Sequence, residues 1–323
     1  MTLDPTAFAQ YRRSANKATL LRLFFGVLII LACWFGLTFG VIIGAERFPA
    51  ATEAGLPYAD FLTTLPGILA SLLSFAGIWL GVWIAVRLLH RERLGAVFGY
   101  SRRISWPGFW KGLAAVLATS LLSEVLLYAL QPDVTRSSLD LSSWLLLLIP
   151  AGLLIFLQTS SEEILFRGYL LRGLAHRFRS PLVWALLPGL AFVSLHWSPS
   201  TSMMVNAAGL ASIGLFTVVL TLLVYKTGNL GAAMGAHLGN NLVAFLLVSH
   251  QSAFSSLALF NGKPFEADGW TSTDMVLVTG IGLVASLLTA LLLLHPRSPL
   301  KVSADSAPLQ PAPEAAEASP LRP

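Results

Sequence analysis

Two adjacent carboxylates, Glu162 and Glu163, lie at the end of an apolar run that begins at Trp144. The hydrophobic sequence resumes at Ile164 and continues to Leu171, so the acids lie within an apolar stretch. A charged side chain near mid-bilayer costs on the order of 3 kcal/mol on insertion scales, and it therefore faces a protein interior and needs partners. We expect these two residues to belong to a functional site.

A basic residue one turn later can pair with one of the two acids. Glu163 and Arg167 are separated by four residues, so on a helix they share a face and can form an ion pair. Glu162 is rotated by about 100° from its neighbour and points to a different environment. The alternative is that both glutamates cap the cytoplasmic end of a helix and extend to the interface. The resumed apolar sequence argues against that alternative.

Histidine and asparagine residues in later apolar stretches could complete such a site. His196 ends one stretch, and His237 and Asn241 share a helical face at i, i+4 in another. Imidazole can donate a proton, accept one or bind a metal at neutral pH, and an amide can hold a developing oxyanion. A single histidine in such a stretch is more often a packing residue. Two histidines together with two adjacent acids favour a functional site over a packing role.

Distances along the helices indicate which side chains could meet. At 1.5 Å per residue, Glu162 lies ~15 Å before Arg172 and His237 lies ~15 Å beyond Lys226. These two side chains could therefore lie at one level. His196 is ~25 Å from Arg179 at the same rise. His196 can reach the level of Glu162 and His237 only if the 172–180 segment protrudes or the helix that carries His196 tilts.

The composition is that of an integral membrane protein. The mean hydropathy is +0.71, 55% of the residues are hydrophobic and 11% are charged, whereas a soluble protein has roughly 25% charged residues. A spanning helix needs ~20 apolar residues. We therefore expect an all-α polytopic protein with about eight transmembrane helices, near residues 20–44, 61–89, 108–130, 144–166, 181–197, 203–225, 229–249 and 274–294.

Basic connections predict the orientation in the membrane. Arginine and lysine are concentrated in the N-terminal arm, in the 87–111 connection and in the 167–179 connection, whereas the connections between them are acidic. Basic loops stay in the cytoplasm, which places both termini there, as in a bacterial inner membrane. The net charge of +5 then faces anionic lipid. Nucleic-acid binding is a poor alternative, because the sequence predicts no basic soluble domain to carry it.

The sequence divides into three parts. Residues 1–19 form the basic arm, 20–295 form the transmembrane domain and 296–323 are predicted to be a disordered tail, because they are rich in proline and alanine. Cys33 is the only cysteine, so an intrachain disulfide and a thiolate metal cluster are both excluded.

The ordered motifs resemble those of a known family. Glu162-Glu163-x-x-x-Arg167, Phe192-x-x-x-His196 and His237-x-x-x-Asn241 are similar to the three motifs of the CPBP family, the group of CAAX prenyl proteases and bacteriocin-processing enzymes that is also called Abi. The resemblance spans residues 105–250 and implies hydrolysis of a peptide bond within the membrane.

The resemblance also implies a role for each residue. Glu162 would be the general base that activates water, with His196 assisting it, and His237 and Asn241 would bind the oxyanion. Glu163 and Arg167 would form the supporting shell. The residues leave open whether the enzyme is a glutamic or a metalloprotease. If zinc is present, Glu162, His196 and His237 would be its ligands.

The residues alone leave other chemistries and functions open. There is no His-Glu-x-x-His motif, and the only aspartate in the predicted spans is Asp274, the first residue of the last one, so an aspartyl dyad is absent. Ser160, Ser161 and Ser194 lie near the histidines. An ion-coupled transporter would also use buried acids, of which Glu124 is another. A non-catalytic scaffold or immunity protein is the third alternative. The substrate implied by the resemblance is a membrane-associated peptide or protein, such as a lipidated CAAX-type tail.

Overall fold

The computed structural model describes residues 6–47, 61 and 63–306, and these residues are mostly helical. The nine helices that we name are α1 Thr6–Arg13, α2 Leu20–Glu46, α3 Leu65–Leu89, α4 Trp106–Leu130, α5 Leu141–Arg177, α6 Leu182–Ser194, α7 Met203–Thr227, α8 Gly231–Leu242 and α9 Ser272–Leu294. Short 3-10 turns lie at Leu94–Val97 and Ser252–Phe254. Segments of π-helix occur at Ala85–Leu89, Ile164–Leu171, Leu182–Leu186 and Val243–Leu247.

The predicted all-α class is confirmed, and each of the eight predicted apolar stretches contains a helix. Within the described residues, α2, α3, α4, α5, α7 and α9 are long and apolar enough to cross a membrane. The helices α6 and α8 are shorter, and α8 has only 12 residues, whereas crossing takes ~20. The predicted count of about eight spanning helices is therefore not confirmed. Most of α8 is buried among other helices rather than exposed to lipid.

Polar side chains at the helix starts explain several boundaries. Ser105, Asp140 and Ser202 each accept a hydrogen bond from a backbone N–H in the first turn of α4, α5 and α7. Thr271 and Asp274 form a reciprocal capping box at the start of α9. Each cap satisfies N–H groups that lack a partner within the helix, and a cap is worth about 1 kcal/mol.

The three basic segments meet at one end of the molecule. The Tyr11 hydroxyl of the N-terminal arm donates to the Val97 carbonyl at 2.5 Å. Arg12 donates to the Phe178 carbonyl at 3.1 Å, and Arg172 pairs with Glu92 at 2.9 Å. The segments predicted to be cytoplasmic are therefore on the same side of the helical bundle. Glu53 and Asp60 of the first acidic connection lie outside the described residues.

A small sheet joins the connections at the opposite end. Strand β1, Thr135–Arg136, pairs antiparallel with β3, Phe260–Asn261, and β3 pairs parallel with β2, Val248–Ser249. The strands come from the α4–α5 and α8–α9 connections, so these two connections share an end. The alternation of basic and acidic connections predicted from the sequence matches this arrangement.

The segment that follows α9 is ordered further than the composition predicted. The Asp305 carboxylate accepts from the Ser101 N–H at 2.8 Å and from Asn229 Nδ2 at 3.0 Å. Lys111 Nζ also donates to the Lys301 carbonyl at 2.7 Å. The predicted disordered tail from residue 296 is thus wrong for residues 296–306, because these polar contacts hold them against the basic end. Residues 307–323 lie outside the described residues.

Helices α4 and α8 approach until their backbones touch. A Cβ added to Gly235 would lie 1.9 Å from the Phe109 carbonyl oxygen, and one added to Gly112 would lie 2.2 Å from the Ala232 carbonyl oxygen. Small residues permit such contact between membrane helices. This contact fixes the position of α8, which carries His237 and Asn241.

We expect Gly235→Ala to lower the stability of the protein by about 1–3 kcal/mol, because the added methyl group forces the backbones apart. Gly209→Ala in α7 is the matched control, since a Cβ there has no neighbour within 4 Å. Thermal unfolding in detergent compares the two variants. Equal melting temperatures would contradict the close packing of α4 and α8.

Candidate active site

A fully buried carboxylate joins two helices at the centre of the candidate site. Arg167 Nη1 donates to Glu163 Oε1 at 2.9 Å, and His237 Nδ1 lies 2.9 Å from the same oxygen. The Glu163 side chain has 0% exposure, and Arg167 and His237 are also buried. The ion pair predicted from the four-residue spacing is present. The same Glu163 carboxylate also holds His237 of α8 against α5.

The adjacent acid occupies a different environment, as the sequence predicted. Glu162 Oε2 lies 3.6 Å from His237 Nε2, and the Glu162 side chain retains 13% exposure. The two ring nitrogens of His237 therefore face two different carboxylates. A separation of 3.6 Å is too long for a direct hydrogen bond. The gap between these two atoms suits a water molecule that contacts both of them.

Three polar atoms around this centre are buried without a hydrogen-bond partner. They are Glu162 Oε2, Glu163 Oε2 and Arg167 Nη2, and they belong to a small set of such atoms in the described part of the chain. Buried polar groups in proteins are nearly always paired. A cluster of unpaired polar atoms therefore indicates a place where water or substrate binds.

Asn241 reaches the site through a residue that sequence reasoning missed. Asn241 Nδ2 donates to Gln158 Oε1 at 2.9 Å, and Asn240 Nδ2 donates to Asn241 Oδ1 at 3.1 Å. The Gln158 side chain also lies beside the Glu162 carboxylate. Gln158 lies four residues before Glu162, so it shares a helical face with it. This four-residue spacing from Glu162 is the feature of the sequence that could have predicted the position of Gln158.

His196 lies beside the cluster, with an aromatic ring between it and the other histidine. The ring of Phe192 lies 4.7 Å from that of His196 and 5.9 Å from that of His237, and the Arg167 guanidinium stands 4.6 Å from its centroid. His196 Nδ1 is 3.0 Å from the Phe192 carbonyl oxygen, so Nδ1–H donates there. No hydrogen bond joins His196 to Glu162 or His237 among the residues that the structure describes.

The length of α5 explains why His196 reaches this level. The helix continues to Arg177, and α6 begins at Leu182 after a short turn. Glu162 and His196 are each about 15 residues from this turn, which is roughly 22 Å along a helix. The extension of α5 to Arg177 places His196 near this level, although Arg172, Gly173 and Ala175 are buried rather than protruding.

The residues suggested as zinc ligands do not form a three-ligand set. Within the described ranges, no group of three His, Cys, Asp or Glu side chains is arranged to hold a metal ion. A catalytic zinc takes three protein ligands. Glu162, His196 and His237 do not fit that requirement, and we derive no step through a metal.

Comparison with known proteins agrees with the motifs. Residues 138–243 match the family described as type II CAAX prenyl endopeptidase Rce1-like. This region of the chain is similar to the Rce1-like family. The matched residues cover roughly a third of the chain and include the diacid, both histidines and Asn241. The similarity indicates a CAAX-type protease, and the long apolar helices are those of an integral membrane protein.

A curated relative covers more of the chain than the family match does. The uncharacterized protein YyaK of Bacillus subtilis (strain 168) is 27% identical over 211 residues, which are 63% of this chain and 70% of that protein. No solved structure matches the chain significantly.

We expect Glu163→Gln and Arg167→Met each to destabilise the protein by about 3–5 kcal/mol, because each leaves a buried charge without its partner. The double variant should lose less than the sum of the two single losses, since it removes both charges. Denaturant unfolding in micelles measures all three variants. Arg177→Met, which alters an exposed arginine, is the control. Additive losses would contradict the coupling.

Proposed function

We propose that the protein is an intramembrane endopeptidase in which Glu162 activates the attacking water. The observation that carries the proposal is the position of His237 between two carboxylates, 2.9 Å from Glu163 and 3.6 Å from Glu162. Glu163 holds the ring in one orientation. Glu162 is left beside it with one buried, unpaired oxygen on a side chain that is 13% exposed.

In the first step, Glu162 removes a proton from water and the resulting hydroxide attacks the carbonyl carbon of the peptide bond. A carboxylate in an apolar setting is a stronger base than one in water, because its charged form is poorly solvated. The Gln158 amide lies beside this carboxylate and would orient it by donating a hydrogen bond. The residual exposure of Glu162 supports access of water and substrate.

In the second step, the tetrahedral oxyanion receives hydrogen bonds and the carbon–nitrogen bond breaks. Asn241 uses one amide hydrogen for Gln158, so its second hydrogen is available to the oxyanion. Protonated His237 would donate from Nε2, with its positive charge stabilised by Glu163. The proton taken by Glu162 passes to the leaving amine. Donors placed in advance at a developing charge are a large source of catalysis.

His196 takes an assisting role in this proposal. Its Nδ1–H is bound to the Phe192 carbonyl, so Nε2 is the nitrogen that can exchange a proton. The side chain is exposed at the edge of the site. That placement suits a group that helps the leaving amine or the entering water rather than the primary base.

The proposed substrate is a membrane-associated peptide or protein with a lipidated CAAX-type tail, the class named by the family description. Leu186 and Leu190 of α6, and Leu195 directly after it, are exposed apolar residues on the side of the site that carries His196. They offer a surface along which a lipid chain could approach. We further propose that both termini lie in the cytoplasm of a bacterial inner membrane.

We expect Glu162→Gln to reduce cleavage by at least about a thousandfold while insertion and melting temperature stay normal, because the amide cannot accept the proton from water. The assay uses the purified protein in lipid nanodiscs with a prenylated CAAX-type peptide. Glu124→Gln, which alters an acid near the opposite end, is the matched control and should keep its activity. Cleavage by Glu162→Gln at the wild-type rate would refute the proposed role.

We expect a strong chelator to leave the cleavage rate unchanged, because Glu162 and water suffice for the proposed attack. The same assay measures the rate before and after chelation, with a known zinc protease in parallel to show that the chelator works. Loss of activity that returns on addition of zinc would overturn the metal-independent mechanism and leave the peptidase assignment in place.

A further inference from the structure

A strongly basic cavity lies at the end of the molecule where the N-terminal arm meets the α3–α4 connection. Its volume is about 470 Å³. Five cationic side chains line it, and Glu92 is the one acid among its lining residues; the five are Lys17, Arg87, Arg91, Arg93 and Arg102. The cavity is separate from the diacid, His196 and His237.

The single acid of the cavity is already neutralised. Glu92 pairs with Arg172 at 2.9 Å, and Arg172 also donates to the Ser14 hydroxyl at 3.1 Å. Lys17 donates to the backbone carbonyl of Arg91 at 3.3 Å. Throughout the described ranges, none of the five lining cations forms an ion pair with an acidic side chain. The positive charge of the cavity is therefore uncompensated by the protein.

The backbone that presents two of these arginines is constrained. Arg91 and Arg102 have φ values of 51° and 61°, in the left-handed region that favours glycine. A Cβ on Gly95 would lie 2.6 Å from the Arg102 carbonyl oxygen, so the two sides of the connection are in contact. Non-glycine residues held in this conformation are concentrated at functional sites.

The cavity adjoins the lipid-facing surface. The apolar span of α2 begins at Leu20 and that of α3 ends at Leu89. Lys17 therefore lies just before α2, Arg87 lies in the last turn of α3, and Arg91 and Arg93 follow directly after it. Leu21 and Leu88 are 66% and 67% exposed. A ligand in the cavity can therefore place a charged group among the arginines and an apolar chain on the neighbouring helices.

We propose that this cavity binds the phosphate group of an anionic lipid. The guanidinium fork matches phosphate oxygens in pairs, and basic pockets at the cytoplasmic ends of membrane helices bind anionic headgroups. A free phosphate ion shares this chemistry, but it would gain nothing from the apolar rim. The proposal is independent of the peptidase mechanism.

The test compares lipid binding by two triple variants of the full-length protein in detergent. Arg91→Gln, Arg93→Gln and Arg102→Gln together remove three charges from the cavity. Arg177→Gln, Arg179→Gln and Arg297→Gln remove three exposed charges from the same end outside it. Native mass spectrometry measures binding of phosphatidylglycerol, with phosphatidylcholine as the neutral reference. We expect about a hundredfold weaker phosphatidylglycerol binding for the cavity variant only, from the loss of three charges near an anionic group.

Two further measurements test the role of charge and distinguish a lipid from a soluble phosphate. The corresponding Arg→Lys triple keeps the charge and should retain most of the binding. Displacement of the lipid by millimolar inorganic phosphate would assign the cavity to a soluble phosphate and overturn the lipid proposal. Equal binding by the two Gln triples would also overturn it. If the cavity triple melts early, the single variants Arg93→Gln and Arg177→Gln are compared, and equal binding by these two refutes the proposal.

Discussion

The buried charge of Glu163 is the constraint on which the centre of this protein depends. A carboxylate with no exposure must be compensated, and Arg167 on its own helix and His237 on α8 supply the partners. Removal of either partner would leave an uncompensated charge in a dry interior. The same contacts turn the imidazole so that its second nitrogen faces Glu162. One electrostatic requirement thus fixes both the packing of α5 on α8 and the geometry of the site.

The composition of α8 follows from this requirement. A helix that carries His237 and Asn241 cannot face lipid without an energetic cost, and most of α8 is buried in the protein. Its glycines replace large apolar side chains and let its backbone contact α4. Van der Waals contact between backbones therefore stabilises a helix whose polar side chains are committed to the site.

Local spacing predicted the features that depend on one helix, whereas contacts between helices were harder to predict. The Glu163–Arg167 pair and the common level of Glu162 and His237 follow from helical geometry. The position of His196 beside Phe192 depends on where α5 ends, which the apolar pattern places too early. The π-helical segment Ile164–Leu171 changes the angle per residue, so face assignments there lose accuracy. The order of residues 296–306 depends on Asp305 meeting Ser101 and Asn229, which composition does not reveal.

The basic end and the diacid are connected through a single helix. Arg172 pairs with Glu92 at 2.9 Å, and the Tyr169 hydroxyl lies 2.9 Å from His90 Nε2. Both contacts tie the end of α3 to α5, the helix that carries Glu162. These two contacts hold α5 against the end of α3, while the Glu163–His237 contact holds it against α8. The helix that carries Glu162 is thus held by polar contacts both at the basic end and at the site itself.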